Sequence, residues 1–270
     1  MVFDRRSAED PDDPLELPCG KCIGCRLERS RQWAIRCVHE AKLHDQNCSI
    51  TLTYDDEHLP ADGSINTRDY QLFFKRLRKR GIKFRYFICG EYGENLGRPH
   101  YHACIFGFDF PDKKLFKTSK TGHRLYISEV LTETWNMGHA LIGDLTFESA
   151  AYVARYITKK INGDDADEHY QGKKPEFITM SRRPGIGKGF FEKYKDDIFP
   201  NDFVVLNGKK MLPPKFYETI HDPFEMDDIK ERRAKQRVKY HPDKTIQRLQ
   251  VRENCKIVQT SLLKRNLEND

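Results

Sequence analysis

The run FRYFICGEYGENLGRPHYHACIFGF, residues 84–108, decides the fold. Its first part, Phe84 to Glu91, is rich in aromatic and apolar residues and reads as a strand. Residues 93 to 99 hold two glycines, an asparagine and a proline, the residues that turns demand. Ala103 to Phe108 is apolar again. Two such runs around a turn predict an antiparallel hairpin. His100 and His102 enter the second strand, where residues two apart share a face, so both imidazoles project together and Tyr101 turns away. Glu91 ends the first strand, where pairing can bring it to the histidines. Two imidazoles and a carboxylate suit a metal ion, although an H-x-H in a strand also fits a half-exposed pair. Glu94 is a near neighbour able to substitute for Glu91, and Cys104, on the histidines' face, reads as buried packing.

Outward from the hairpin, helix and strand signals alternate. Residues 26–44 read as a helix, with Trp33, Ala34, Cys37, Val38 and Ala41 near helical spacing and Arg26, Arg29, Arg31 and Arg36 on the other face. Cys48 to Tyr54 reads as a strand. Thr67 is placed to cap a helix running to Arg80, with Tyr70, Phe73, Phe74 and Leu77 as its apolar stripe. Residues 110–122 read as a polar loop, Glu129 to Trp135 as a short helix and Ala140 to Leu145 as a strand. A helix follows from Phe147 to Ile161. A hairpin among alternating elements predicts an α+β fold with a mainly antiparallel sheet flanked by helices. The organisation expected is a flexible segment at 1–17, a cysteine cluster and basic helix at 18–45, a core at 46–200, and a charged, mostly helical tail at 201–270.

The helix at 147–161 carries Tyr152 and Tyr156, four apart and so on one face. Each stands three residues before a base, Arg155 and Lys159. Aromatics at this spacing also occur in buried helix faces. Upstream, Cys19, Cys22 and Cys25 form a C-x-x-C-x-x-C run with the thiolate spacing of a knuckle around Zn²⁺. That supplies three ligands. Cys37 lies twelve residues on from Cys25, about 18 Å along a helix, which makes it awkward as a fourth; His39, His58 and Cys89 are the distant candidates.

Charged residues make up 33% and hydrophobic residues 38% of the 270-residue chain, with net charge +6. The basic runs Lys75 to Lys83 and Lys230 to Lys239 suit phosphate contacts or a solvated helix face. No stretch approaches the roughly 20 apolar residues of a membrane span, and the start has no apolar core for a signal peptide. Residues 181–189, SRRPGIGKG, read equally as a phosphate-contacting loop or as a turn needing positive φ. They do not make an ATPase loop.

A strand ending in Glu91, eight residues, then His100-x-His102, preceded by the strand at 48–54 and followed by Tyr156-x-x-Lys159, resembles the HUH endonucleases. The paired tyrosines, the opening PCGKCIGCR at 18–26 and the SRRPGIG at 181–187 are similar to the replication initiation proteins of small single-stranded DNA phages, the microviruses. The resemblance covers roughly residues 18 to 190. It implies an HUH-type ferredoxin-like core with the metal site on the sheet face and the tyrosine helix across it. It implies a tyrosine that cuts DNA by transesterification, helped by Mg²⁺ or Mn²⁺ on Glu91, His100 and His102, with Lys159 and Arg155 offsetting charge. Partners implied are single-stranded or supercoiled origin DNA and a host helicase and polymerase, in the cytoplasm of the bacterial host. A plasmid initiator or single-strand transposase shares this chemistry. A zinc-stabilised nucleic-acid-binding protein without catalysis is the rival of another class.

Overall fold

The computed structural model describes residues 18–93, 96–119, 122–155, 165–238 and 245–262. Its centre is a seven-stranded sheet. The strands are β1 (Asn47–Tyr54), β2 (Arg85–Tyr92), β3 (Pro99–Phe106), β4 (Lys114–Thr118), β5 (Arg124–Ile127), β6 (Gly138–Asp144) and β7 (Phe177–Met180). They lie in the order β4-β5-β6-β1-β3-β2-β7, and every pairing is antiparallel. Around the sheet are α1 (Ile23–Ala41), α2 (Thr67–Lys79), α3 (Glu129–Trp135), α4 (Phe147–Arg155), α5 (Asp165–Tyr170) and α6 (Lys188–Ile198). A ribbon of β8 (Val204–Leu206) and β9 (Lys209–Met211) leads to α7 (Lys215–Ile220), α8 (Pro223–Val238) and α9 (Ile246–Ser261). The α+β architecture is the one the central hairpin predicts.

Alternation along β1 sets up two faces. Cys48, Ile50, Leu52 and Tyr54 are buried on one, while Ser49, Thr51 and Thr53 point to the other. The first face meets α2 and α3: Ile50, Leu52, Tyr101 and Ile105 join Phe73, Phe74, Leu77, Leu131 and Trp135 in one core. Each large side chain buried there is worth about 1.5–3 kcal/mol, so this aromatic layer is the main anchor of the sheet. The second face meets α1 and α4, which bury Ala34, Cys37, Ala150, Val153 and Ala154 against Phe87, Cys89, Cys104 and Phe106. Cys104 is thus core packing.

A third cluster, built from α6, α7, α8 and the ribbon, is fastened to α1. The Arg36 guanidinium lies 3.9 Å from the ring centres of both Trp33 and Phe216. His39 bonds the Tyr217 hydroxyl through Nδ1 at 2.8 Å and stacks on Phe190. Burial, with Lys42 nearby, pushes His39 down to about 3. Buried Glu40 accepts from Arg85 Nε at 2.5 Å and from the Gly187 backbone N–H at 2.7 Å. Gly187 has φ +80°, and a side chain there would meet the Tyr217 hydroxyl at 2.8 Å. The glycine-rich run at 181–189 is therefore a turn clamped onto α1, and its phosphate-contacting reading gives way.

Other expectations change too. The polar loop at 110–122 holds β4, and β5 follows it; these strands are charged because they lie at the sheet edge, where Lys and Arg protect unpaired backbone. Asn66, not Thr67, caps α2, accepting from the Arg68 N–H at 3.1 Å. The basic run of α2 lies over the face opposite the histidines and is partly structural. Arg76 Nη1 donates to the Thr134 carbonyl at 3.0 Å, closing α3, and Arg80 meets Glu133 at 3.0 Å. Arg78 lies over the Phe84 ring.

Candidate functional site

The strand register assembles the site. His100 pairs with Glu91 on β2 and with Thr53 on β1; His102 pairs with Cys89 and Thr51. Directly opposed residues share a face, so Thr51, Thr53, Glu91, His100 and His102 all project toward the side covered by α4. Glu91 is 1% exposed and His102 7%. A carboxylate buried to that degree needs a partner: Glu91 Oε1 stands 2.9 Å from His102 Nε2. The other imidazole nitrogen, Nδ1, meets Thr51 Oγ1 at 3.1 Å. Both nitrogens of His102 are thereby oriented.

His100 is less tightly drawn in. Its ring centre is 6.4 Å from that of His102, at 56°. It lies against Gly93, where a Cβ would come within 2.7 Å of His100 Cε1, so only glycine leaves room for this ring. The site has the donor chemistry of a divalent-cation site. Glu91 Oε1 and His102 Nε2 already have the 2.9 Å spacing that two ligands about 2.0–2.1 Å from one octahedral cation adopt. His100 shares their face but stands outside that spacing; among the described residues only the cysteine trio brings three ligand atoms within 4.8 Å of one another.

Helix α4 runs back over the sheet and sets Tyr152 on this group. Tyr152 is buried, and its ring meets that of His102 edge-on, centres 5.3 Å apart at 87°. Arg155 ends α4 and is half-buried. Tyr156 and Lys159 lie outside the described residues, as does Glu94. The contrast with Tyr101, one residue from each histidine, is chemical. Tyr101 donates to the Asn66 carbonyl at 2.9 Å inside the aromatic core, and burial pushes its hydroxyl up to about 12. It is a structural tyrosine held protonated.

The register also reveals residues that sequence patterns passed over. Thr53 pairs with His139 of β6, so His139, Thr53, His100 and Glu91 form one row across four strands. His139 is exposed on the site's face. At the other end, Ile178 and Met180 of β7 pack on the α4 side and Phe177 on the opposite side, so alternation carries Glu176 toward the α4 side. Glu176 is buried and accepts from the Tyr170 hydroxyl. No local spacing announces Thr51, His139 or Glu176, because only strand pairing brings them to Glu91.

The three thiols of the sequence motif converge. Cys19, Cys22 and Cys25 place their Sγ atoms within 4.8 Å of one another at the start of α1. Backbone N–H groups of Cys22 and Lys21 pull the Cys19 thiol down to about 7. The distant candidates for a fourth ligand are used elsewhere. Cys37 is buried against Cys104, and His39 is stacked on Phe190. His58 meets Asp55 at 2.7 Å, and Cys89 Sγ donates to the His102 carbonyl at 3.6 Å.

An antiparallel sheet that carries carboxylate and imidazole ligands on one face, beneath a helix-borne tyrosine, defines the class. Residues 47–161, which contain that sheet face and α4, match the family model of the replication-associated protein ORF2. Replication-associated protein VP4 of Bdellovibrio phage phiMH2K is 37% identical over 229 residues, covering 81% of this chain and 71% of that protein. Replication-associated protein ORF2 of Spiroplasma virus 4 is 37% identical over 240 residues, 81% of this chain and 73% of that one. Replication-associated protein ORF4 of Chlamydia phage 1 is 31% identical over 76% of this chain and 53% of its own length. The chain belongs to this family of replication-associated proteins, in its microvirus form. No solved structure matches it. Among the described residues no helix is long and apolar enough to cross a membrane.

Proposed function

We propose that the chain initiates rolling-circle replication of a small single-stranded DNA phage by nicking single-stranded origin DNA through a tyrosine, and rejoins the strands when a round is complete. One observation carries this reading: the buried Glu91–His102 pair lies under the ring of Tyr152 on one sheet face.

In the proposed reaction a tyrosine oxygen attacks the phosphorus of a phosphodiester. The bond from phosphorus to the 3′ oxygen breaks, that oxygen takes a proton and leaves as a 3′ hydroxyl, and the 5′ phosphate stays on the tyrosine. Rejoining is the reverse attack, by a 3′ hydroxyl on the phosphotyrosine. The 3′ hydroxyl left by the nick primes a host polymerase, and a host helicase unwinds the duplex. Phenol is a weak nucleophile at neutral pH because its free pKa is about 10, so its surroundings must stabilise the charge that develops. Glu91, His100 and His102 would hold Mg²⁺ or Mn²⁺. Such an ion, when bound, polarises a phosphate oxygen and offsets its charge. Thr51 fixes the ring of His102 by its bond to Nδ1, as outer partners of metal-binding histidines do. Arg155 and Lys159 offset charge on the phosphate. Tyr152 and Tyr156 act in turn, one holding the old end while the other makes the next cut.

The test is a covalent adduct. Purified protein, Mn²⁺ and a labelled single-stranded origin fragment should give a species stable in denaturing gels. Tyr152→Phe and Tyr156→Phe should each retain part of it, and the double variant none. An adduct in the double variant overturns the assignment.

A further inference from the structure

Cys19, Cys22 and Cys25 take no part in the proposed DNA chemistry, and burial does not explain their meeting. Cys37, Cys48, Cys89 and Cys104 are fully buried, and packing accounts for where they lie. Cys19 is exposed and its two partners are only half-buried. What gathers them is backbone geometry. Gly20 adopts φ +72°, which turns the chain back after Cys19. Cys22 then caps α1, and Cys25 falls in the helix's first turn. The Cys19 and Cys25 sulfurs stand 3.8 Å apart, far beyond the roughly 2.05 Å of a disulfide. The Cys22 N–H donates to Cys19 Sγ at 3.3 Å, and the Cys25 N–H to Cys22 Sγ at 3.5 Å. Amides directed at sulfur support thiolates, and thiolates bind metals.

We propose that Cys19, Cys22 and Cys25 bind one Zn²⁺ as three thiolates, a second metal centre of different chemistry from the Glu91 site. Three sulfur donors select a borderline-soft ion and reject Mg²⁺ and Mn²⁺, which suit the oxygen and nitrogen donors of Glu91, His100 and His102. Among the described residues no fourth histidine, cysteine or carboxylate joins the set. The fourth tetrahedral position is therefore open to water or to a group outside those residues. The centre has a mechanical role. It locks the turn that starts α1, and α1 packs on α4, which carries Tyr152. The first two turns of α1, at Gly24, Leu27 and Arg31, also lie against Lys256, Gln259 and Thr260 of α9. Metal loss should loosen the start of α1 and its seat for α9, and leave the sheet intact.

The experiment uses the full chain purified without chelator. Elemental analysis should find one zinc per chain, retained in His102→Ala and lost in Cys22→Ser and Cys25→Ser. Because a cysteine variant could lose metal by misfolding, the wild type is also titrated with a mercurial thiol reagent. One zinc should be released as three exposed thiols react. Hydrogen exchange should then quicken at residues 20–31 and not in the central strands. Cobalt in place of zinc should give the intense visible bands of tetrahedral thiolate coordination. Metal-free protein, bound iron, a Cys19–Cys25 disulfide in the isolated chain, or zinc that survives Cys22→Ser would each overturn the proposal.

Discussion

The two faces of the central sheet are made from alternate residues of the same strands, yet they do different work. On the α2 side, Tyr54, Tyr101 and Trp135 fill space, and their polar atoms are satisfied within the core: Tyr54 donates to Asp69 Oδ2 at 2.6 Å, and Trp135 Nε1 to the Thr53 carbonyl at 3.0 Å. On the α4 side, Glu91, His102 and Thr51 are buried polar groups whose hydrogen bonds run mainly to one another. A polar group that only had to be tolerated could be apolar at less risk, since an unsatisfied one costs about 1–3 kcal/mol. A linked set of titratable and ligand-type side chains on one face is the mark of a site. The sheet is thus anchored from one side and does its chemistry on the other.

Neighbouring residues on β3 test this division most sharply. Tyr101→Ala should remove a large side chain from the aromatic core and cost about 3–5 kcal/mol, seen as a lower denaturation midpoint or insoluble protein. His102→Ala should keep a cooperative unfolding transition and lose nicking by at least about 100-fold, the scale on which general acid–base or metal-ligand groups act. If His102→Ala unfolds as readily as Tyr101→Ala, the second face is also structural and the comparison fails. Glu91→Gln comes next. The amide can still hydrogen-bond His102, so the fold should hold. A neutral oxygen binds a divalent ion poorly, so the metal concentration needed for half-maximal nicking should rise by roughly tenfold or more.

Much of this contrast is legible in the sequence, because it follows the two-residue period of a strand. The hairpin, Glu91, His100, His102 and Cys104 need only that period and a turn between runs. Helix spacing suffices to place Tyr152 on the face of α4 that meets the sheet. The rest depends on tertiary contacts. Strand order, not spacing, puts His139 and Thr53 in line with His100. β4 and β5 are too polar for a hydropathy reading, since an edge strand buries little. Positions such as Arg76 and Gly187 look like DNA contacts in the sequence, but the fold spends them on closing α3 and on the Glu40 clamp. A basic or glycine-rich run does not say which partner it will meet.

His39 extends the comparison to a histidine used for structure alone. Its folded pKa, about 3, lies below the unfolded value near 6.5. The unfolded chain therefore binds the extra proton first. Stability from this group is full above pH 6.5 and falls as pH drops toward 3, by at most about 1.4 kcal/mol per pH unit. Urea unfolding at pH 7.5 and pH 5 should show the loss, and His39→Gln, which keeps a partner for Tyr217, should reduce it. An unchanged slope in that variant would move the acid sensitivity to another group.

The smallest effect is expected where charge is greatest. Lys75 and Lys79 of α2 are exposed, and they lie on the face opposite Glu91. If DNA lies along the α4 side alone, these lysines neutralise no phosphate. Each phosphate contact contributes about 0.7 to the slope of log affinity against log salt for single-stranded DNA. Lys75→Ala with Lys79→Ala should leave that slope unchanged, and affinity within about twofold, in a fluorescence anisotropy titration. A slope reduced by about 1.4 would mean that both lysines touch phosphates. The strand would then have to pass around the sheet edge to the anchoring side, and the two faces would share the DNA while only one performs the cut.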